Sequence, residues 1–124
     1  MYIPEGLNYT NTHEWIKKLD NGILEIGLSD YAQQELGDIV FINLPKTGDT
    51  LKAGSVFADV ESVKAVSEIY SPMDCRVIEI NQDLLNSPEL VNQSPYTAWL
   101  VRIECGVVDE KVLLSADEYR ALII

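Results

Sequence analysis

Residues 56–70 read VFADVESVKAVSEIY, and this stretch predicts two strands joined by a tight turn. Its first half has the two-residue period of a half-buried strand, with Val56, Ala58 and Val60 on one face and Phe57, Asp59 and Glu61 on the other. Residues 65–70 form a second run of the same kind. The intervening turn places Lys64 at or near the tip of a hairpin, where its ammonium is accessible.

Further strands are expected on both sides of this hairpin. Residues 13–18 and 23–28 flank Asn21-Gly22, a pair typical of tight β-hairpin turns. Additional strand-like runs cover residues 38–44, 76–80 and 99–104. Many short strands at close spacing are typical of a small β-barrel or sandwich.

Short helices are expected between the strands and at the end of the chain. One helix runs through Leu36, with Ser29 or Asp30 as its cap, Gln33 as the capping-box partner of Asp30, and Gly37 as its stop. Ser87-Pro88-Glu89 is a good helix start, so one or two short helices are expected within residues 83–92. Ser115-Ala116-Asp117-Glu118 is a capping box that opens a C-terminal helix. The fold class is therefore mainly β with short helices (α+β), and residues 1–124 are expected to form one domain.

The charge of the chain argues against several classes of partner. Nine basic and twenty acidic residues give a formal net charge of −11, which repels nucleic acid and anionic membrane surfaces. No apolar run approaches the ~20 residues needed to cross a bilayer. Residues 1–6 lack the basic and apolar regions of a secretory signal, so we expect a cytoplasmic protein without nucleic-acid or membrane partners.

The two cysteines and the single histidine do not form a metal-binding motif. Cys75 and Cys105 lie thirty residues apart, and His13 offers no obvious further ligand. We interpret both cysteines as buried or half-buried thiols, although two cysteines can also form one bridge. His13 is expected to have a structural role beside Trp15, and Trp15 and Trp99 are expected to anchor the core.

Lys64 taken alone has a modest claim to function, because most exposed turn lysines only solubilise a protein. The framing turns, residues 48–54 and Ser71-Pro72, resemble those around the modified lysine of lipoyl and biotinyl domains. The local sequence Glu-Ser-Val-Lys-Ala resembles a lipoylation site. Biotin carriers place methionine on both sides of the lysine, so biotin is disfavoured.

Five ordered segments resemble the glycine cleavage H-protein family over nearly the whole chain. They are residues 9–15 (YTNTHEW), 30–33 (DYAQ) with 36–41 (LGDIVF), 61–65 (ESVKA) with 70–72 (YSP), 88–92 (PELVN), and 95–96 (PY) before 99–100 (WL). The chain departs from the family pattern at two places. Cys75 stands where glycine is usual, and the segment before Trp99 is one residue shorter and has fewer glycines than is usual.

The resemblance implies a barrel-sandwich hybrid fold and a non-catalytic carrier. It implies lipoate attached to Lys64 by a lipoate ligase or by a lipoyl or octanoyl transferase. The arm would take an aminomethyl group from glycine at the P protein, deliver it to the T protein, and be reoxidised by the L protein. A carrier that serves several enzymes is expected to be monomeric.

The resemblance also implies a surface cleft for the loaded arm, lined by Thr12, Glu14 and Glu68. A carboxylate there would hold the cationic amine of the cargo. By residue type alone, Glu14 and Glu68 are ordinary surface acids. Two alternatives stay open: an H-like protein that relays lipoate or serves another lipoate-dependent pathway, and an unmodified interaction module with the same fold.

Overall fold

A computed structural model describes residues 1–123, which form two antiparallel sheets with short helices. The strands are β1 (Asn8–Tyr9), β2 (Glu14–Lys18), β3 (Ile23–Leu28), β4 (Ile39–Asn43), β5 (Thr50–Leu51), β6 (Val56–Ser62), β7 (Val66–Tyr70), β8 (Cys75–Ile80) and β9 (Val101–Glu104). The helices are α1 (Asp30–Leu36), α2 (Asp83–Asn86), α3 (Leu90–Gln93) and α4 (Ala116–Leu122), with a 3₁₀ turn at Glu110–Val112. Within residues 1–123, no helix is long and apolar enough to cross a membrane.

The larger sheet has six strands in the order β1-β2-β3-β9-β8-β5, and the smaller has three in the order β4-β6-β7. Inward side chains from both sheets belong to one apolar cluster, which includes Ile26 and Ile103 from the larger sheet and Val60 and Ile69 from the smaller. The sheets therefore share one core. The prediction of a mainly β fold with short helices is confirmed.

The hairpin of β6 and β7 exists as predicted, but its first strand is irregular. Its register shifts between Val56 and Ala58, so Phe57 and Ala58 are consecutive buried residues. Val56 is 45% exposed, and the prediction that it shares the buried face of Ala58 and Val60 is wrong. A β-bulge inserts an extra residue and reverses the alternation before it, which a strict two-residue period cannot anticipate.

Helix α1 begins at the first of the two predicted caps. The Ser29 hydroxyl accepts a hydrogen bond from the Ala32 N–H at 3.1 Å, and Gly37 follows the helix with a φ of 77°. Gln33 donates to the Asp30 side chain at 2.7 Å instead of returning to the cap backbone. The predicted Asp30–Gln33 capping box is therefore wrong, because with Ser29 as cap the third helical position is Ala32.

The later helices give two confirmations and one correction. The stretch predicted to hold one or two short helices contains α2 and α3. The predicted start at Ser87 is wrong, since residues 87–89 form a turn and α3 begins at Leu90, without a side-chain cap. In α4 the capping box is complete: Ser115 Oγ accepts from the Glu118 N–H at 3.1 Å, and Glu118 accepts from the Ser115 N–H at 2.8 Å.

Candidate functional site

Lys64 lies in the turn between β6 and β7 and is exposed. The Ser62 hydroxyl oxygen accepts hydrogen bonds from the backbone N–H groups of Lys64 at 3.3 Å and Ala65 at 3.0 Å. The Val63 N–H donates to the Asp38 carbonyl at 3.0 Å, which ties the turn to the residues after α1. The backbone at the tip is therefore anchored while the lysine side chain projects from it.

The Lys64 side chain extends across Gly37. A Cβ placed on Gly37 would lie 3.7 Å from Lys64 Cε, so the lysine stem runs past the end of α1. Among the residues that the structure describes, the Lys64 ammonium makes no ion pair. The ammonium is free for attachment chemistry.

A groove of about 320 Å³ lies along α1 beyond Gly37. We call it the α1 groove, and its walls are Thr12, His13, Leu28, Tyr31, Ala32, Glu35, Leu36 and Ser67. Leu36 in its wall immediately precedes Gly37, the residue that the lysine stem passes. Ser67 enters the wall because it alternates with the exposed Val66 and Glu68 along β7.

A second cavity of about 460 Å³ lies on the other side of Thr12. We call it the Tyr70 cavity, and it is lined by Thr10, Asn11, Thr12, Ala53, Gly54, Tyr70, Ser71, Pro72 and Val112. Thr12 is common to both cavities.

Glu14 lies directly behind these threonines and is 0% exposed. The hydroxyls of Thr10 and Thr12 each donate to Glu14 Oε1 at 2.6 Å. Among the described residues, Glu14 Oε2 has no hydrogen-bond partner. The interpretation of Glu14 as an ordinary surface acid is wrong, because β2 directs this side chain into the protein at the start of the strand.

Burial changes the acidity of Glu14. Removal from water raises its pKa to about 7, while the two threonine hydrogen bonds act in the opposite direction. A buried carboxyl with one unpartnered oxygen is costly unless it becomes neutral or meets a cation. A positive charge beside Thr10 and Thr12 should therefore favour the ionised form of Glu14.

Glu68, the other predicted cleft acid, is exposed on the outer face of β7. It accepts a hydrogen bond from the Tyr70 hydroxyl at 3.5 Å, and Tyr70 lines the second cavity. The structure thus brings Thr12 and Glu14 into direct contact, whereas Glu68 is not among the residues that line either cavity and contacts Tyr70 instead. Gly37, Ser67 and Tyr70 join the candidate site only in the folded structure. Strand alternation along residues 65–70 could have indicated Ser67.

His13 is held by neighbours other than the one predicted. Its Nδ1 lies 2.9 Å from the Tyr119 hydroxyl and its ring lies 4.8 Å from that of Tyr31, so the contacts that hold the ring come from these two tyrosines. His13 has a φ of 74°, and burial lowers its pKa. Trp15 is buried as predicted, while Trp99 is only half-buried beneath the Arg102 guanidinium.

Comparison with known proteins identifies the family. The glycine cleavage H-protein family model matches residues 7–123. The chain belongs to the glycine cleavage H-protein family. Curated relatives in this family include the glycine cleavage system H protein of Oceanobacillus iheyensis, 53% identical over 127 residues, and that of Staphylococcus epidermidis, 48% identical over 125 residues. Each alignment covers 99% of this chain and 98% of the relative.

A solved H-protein structure has the same fold. The crystal structure of the glycine cleavage system H protein from Mycobacterium marinum superposes with a TM-score of 0.88 at 35% identity, covering 96% of this chain and 97% of that one. The barrel-sandwich hybrid prediction is confirmed. Membership of the H-protein family also supports the predicted role as a lipoyl carrier subunit of the glycine cleavage system.

Proposed function

We propose that Lys64 carries the lipoyl group and that the whole chain, residues 1–124, shuttles it among the P, T and L proteins of the glycine cleavage system. The observation that carries this proposal is the exposed Lys64 at a hairpin tip, which makes no ion pair within residues 1–123 and whose stem passes Gly37, next to Leu36 of the α1 groove. Because the whole chain aligns with relatives named as H proteins, the same system is proposed here.

The residues around Lys64 suit a long acyl arm. An amide at Nζ removes a charge that no described carboxylate balances, so attachment breaks no ion pair. An extended arm of about ten bonds reaches on the order of 14 Å, enough to follow a groove whose wall includes Leu36, the neighbour of Gly37. When bound, lipoate supplies a disulfide that carries the one-carbon cargo between enzymes.

Thr12 and Glu14 would receive the cationic end of the arm's cargo, with Glu68 beside Tyr70. A cation at the wall faces the Thr12 hydroxyl and, through it, the buried Glu14 carboxyl. Such a charge favours the ionised carboxyl and lowers its pKa from about 7. The buried position also limits the access of water to the held amine.

Bond chemistry is left to the partner enzymes. The chain is proposed to be a non-catalytic monomer, loaded by a lipoate ligase or by a lipoyl or octanoyl transferase. Its anchored turn presents Lys64 without the desolvated pocket that a nucleophilic lysine needs. The same exposed tip can then enter several active sites.

Attachment is tested by coexpression with a lipoate ligase, followed by peptide mapping. The adduct is expected on the peptide that contains Lys64 and is lost in Lys64→Arg. Lys52→Arg is the matched control, since Lys52 is also an exposed turn lysine, and it should be lipoylated normally. An adduct that survives Lys64→Arg would overturn the proposed site.

The pathway is tested with the lipoylated chain and P protein. Labelled bicarbonate should exchange into glycine, and its failure to do so would favour lipoate relay instead.

In the loaded chain, Glu14→Gln should release the one-carbon cargo to water about tenfold faster, because a charge-assisted contact is lost. Unchanged release in Glu14→Gln would remove Glu14 from the proposed cleft.

A further inference from the structure

Cys75 and Cys105 lie opposite each other where strands β8 and β9 of the larger sheet pair. Strands β8 and β9 pair with Arg76 opposite Glu104, so one step along this antiparallel register places Cys75 opposite Cys105. Both cysteines are buried, 8% and 4% exposed, and both belong to the shared apolar core. Cys75 and Cys105 are thus direct cross-strand neighbours, although thirty residues separate them in the sequence.

The backbone shows which kind of cross-strand pair this is. The Cys105 N–H donates to the Gly22 carbonyl at 3.0 Å, and a Cβ on Gly22 would lie 2.9 Å from the Cys105 carbonyl oxygen. Both polar groups of Cys105 therefore point toward the β2–β3 turn and away from β8. Cys75 and Cys105 form a non-hydrogen-bonded pair, the type with Cα atoms about 4.5 Å apart and side chains close together. That separation lies within the range of disulfides.

The two thiols also influence each other. The hydrogen bond from the Cys105 thiol lowers the pKa of Cys75, and the Ser71 hydroxyl, 3.5 Å from Cys75 Sγ, acts in the same direction. The same contact, together with burial, raises the pKa of Cys105. The Ser71 hydroxyl can donate to a Cys75 thiolate, which favours Cys75 as the attacking sulfur and Cys105 as the resolving thiol beside it.

We infer that Cys75 and Cys105 are a redox-active dithiol that closes to an intrachain disulfide when a small peroxide oxidises it. The Cys75 sulfur attacks hydrogen peroxide, its O–O bond breaks, and Cys75 becomes a sulfenic acid as hydroxide takes up a proton to leave as water. The Cys105 sulfur then attacks Cys75, the S–O bond breaks and a second water leaves. The two sulfurs lose two electrons and the peroxide gains them.

The bridge would act on the wall of the Tyr70 cavity. Ser71 and Pro72 line that cavity and belong to the turn that Cys75 ends. A disulfide would fasten this turn to the end of β9. The inference does not depend on lipoylation, because both sulfurs belong to the folded chain itself.

The experiment uses the full-length chain without lipoate, in which the two cysteines are the only thiols. The folded protein is treated with hydrogen peroxide, unfolded, alkylated and mapped by mass spectrometry. We expect a Cys75–Cys105 linked peptide, about 2 Da lighter than the two reduced peptides together, and no alkylated cysteine. Dithiothreitol should restore both thiols. Peptide mapping separates this change from oxidation of the exposed Met1.

Single variants distinguish the two sulfurs. In Cys105→Ala, Cys75 should oxidise to sulfenic and higher acids. In Cys75→Ala, Cys105 should remain alkylatable at least about tenfold longer. Two alkylatable thiols in the wild type after complete oxidation of Met1 would overturn the inference, as would a disulfide-linked dimer. Equal oxidation rates for Cys75 and Cys105 in the single variants would overturn the assignment of Cys75 as the attacking sulfur.

Discussion

At the scale of single residues, Glu14 links the stability of the protein to pH. Burial raises its pKa from 4.5 to about 7 in the folded state, so the folded protein binds a proton that the unfolded chain has released. The stability associated with protonated Glu14 is complete below about pH 4.5 and is lost as the pH rises through about 7. The full effect corresponds to about 3 kcal/mol.

Glu14→Gln removes this dependence, because the amide stays neutral at every pH. Relative to the wild type, the variant should gain up to about 3 kcal/mol of unfolding free energy between about pH 5 and pH 8. Urea unfolding at both pH values measures the change. Glu68→Gln is the control, since Glu68 is exposed and the difference should not vary with pH. A constant difference for Glu14→Gln would contradict the buried, near-neutral carboxyl.

Gly37 also acts through its own conformation. Its φ of 77° and ψ of −155° belong to a region that essentially only glycine occupies. Gly37→Ala should therefore cost about 1–3 kcal/mol of unfolding free energy, although its Cβ would make only ordinary contact with Lys64 Cε. Denaturant unfolding measures the loss. Gly106→Ala should change stability by less than about 0.5 kcal/mol, because its Cβ would meet nothing within 4 Å. Equal losses of stability in Gly37→Ala and Gly106→Ala would contradict a strained backbone at residue 37 of the alanine variant.

At the scale of elements, the cap residues of α1 and α4 contribute unequally to the stability of the protein. Ser115 caps α4 at an exposed position, whereas the buried Ser29 caps α1 and also lies 2.7 Å from the Tyr119 hydroxyl of α4. Ser29 thus joins the first helix to the last. Loss of Ser29 leaves a buried polar group with fewer partners, while water can replace Ser115.

Ser115→Ala should destabilise the protein by about 1 kcal/mol and Ser29→Ala by about 2 kcal/mol or more. Thermal and urea unfolding of the two variants give the comparison. Tyr119→Phe, which removes the partner hydroxyl, is the matched control and should reduce the extra cost of Ser29→Ala in the double variant. Equal costs for Ser29→Ala and Ser115→Ala would contradict the link between α1 and α4.

At the scale of the whole molecule, acidic residues outnumber basic ones. The net charge is −11, and Asp59, Glu61 and Glu68 lie close together on β6 and β7, with Asp59 directly opposite Glu68. Like charges on paired strands repel, and salt screens them. The unfolded chain spreads the same charges over a larger volume, so screening favours the folded protein more.

The melting temperature should therefore rise by a few degrees between about 10 and 300 mM sodium chloride. Chloride is used because sulfate would strengthen apolar burial by itself. The variant Asp59→Asn/Glu61→Gln/Glu68→Gln should show a smaller rise, since three of the repelling charges are gone. A melting temperature that falls with salt would mean that ion pairs outweigh repulsion.

Much of this molecule follows from local sequence. The Asn21-Gly22 hairpin, the hairpin around Lys64, the Ser29 and Ser115 caps and the Gly37 stop each depend on a few neighbouring residues, and all are present. The family resemblance, also a property of the sequence, predicted the fold and the carrier role. The errors at Val56, Gln33 and Ser87 arise where a bulge or an alternative cap changes the local phase.

The amino-acid sequence is thus sufficient to predict most of the elements, the accessible lysine and the family. The folded chain was needed to show that Glu14 is buried behind Thr10 and Thr12, that Gly37 lies under the Lys64 stem, and that Cys75 faces Cys105. These features depend on the fold because acidity and thiol reactivity depend on burial and on neighbours brought together by strand pairing. Lys64 needs only a turn to be accessible, whereas Glu14 needs the assembled core to become a weak acid.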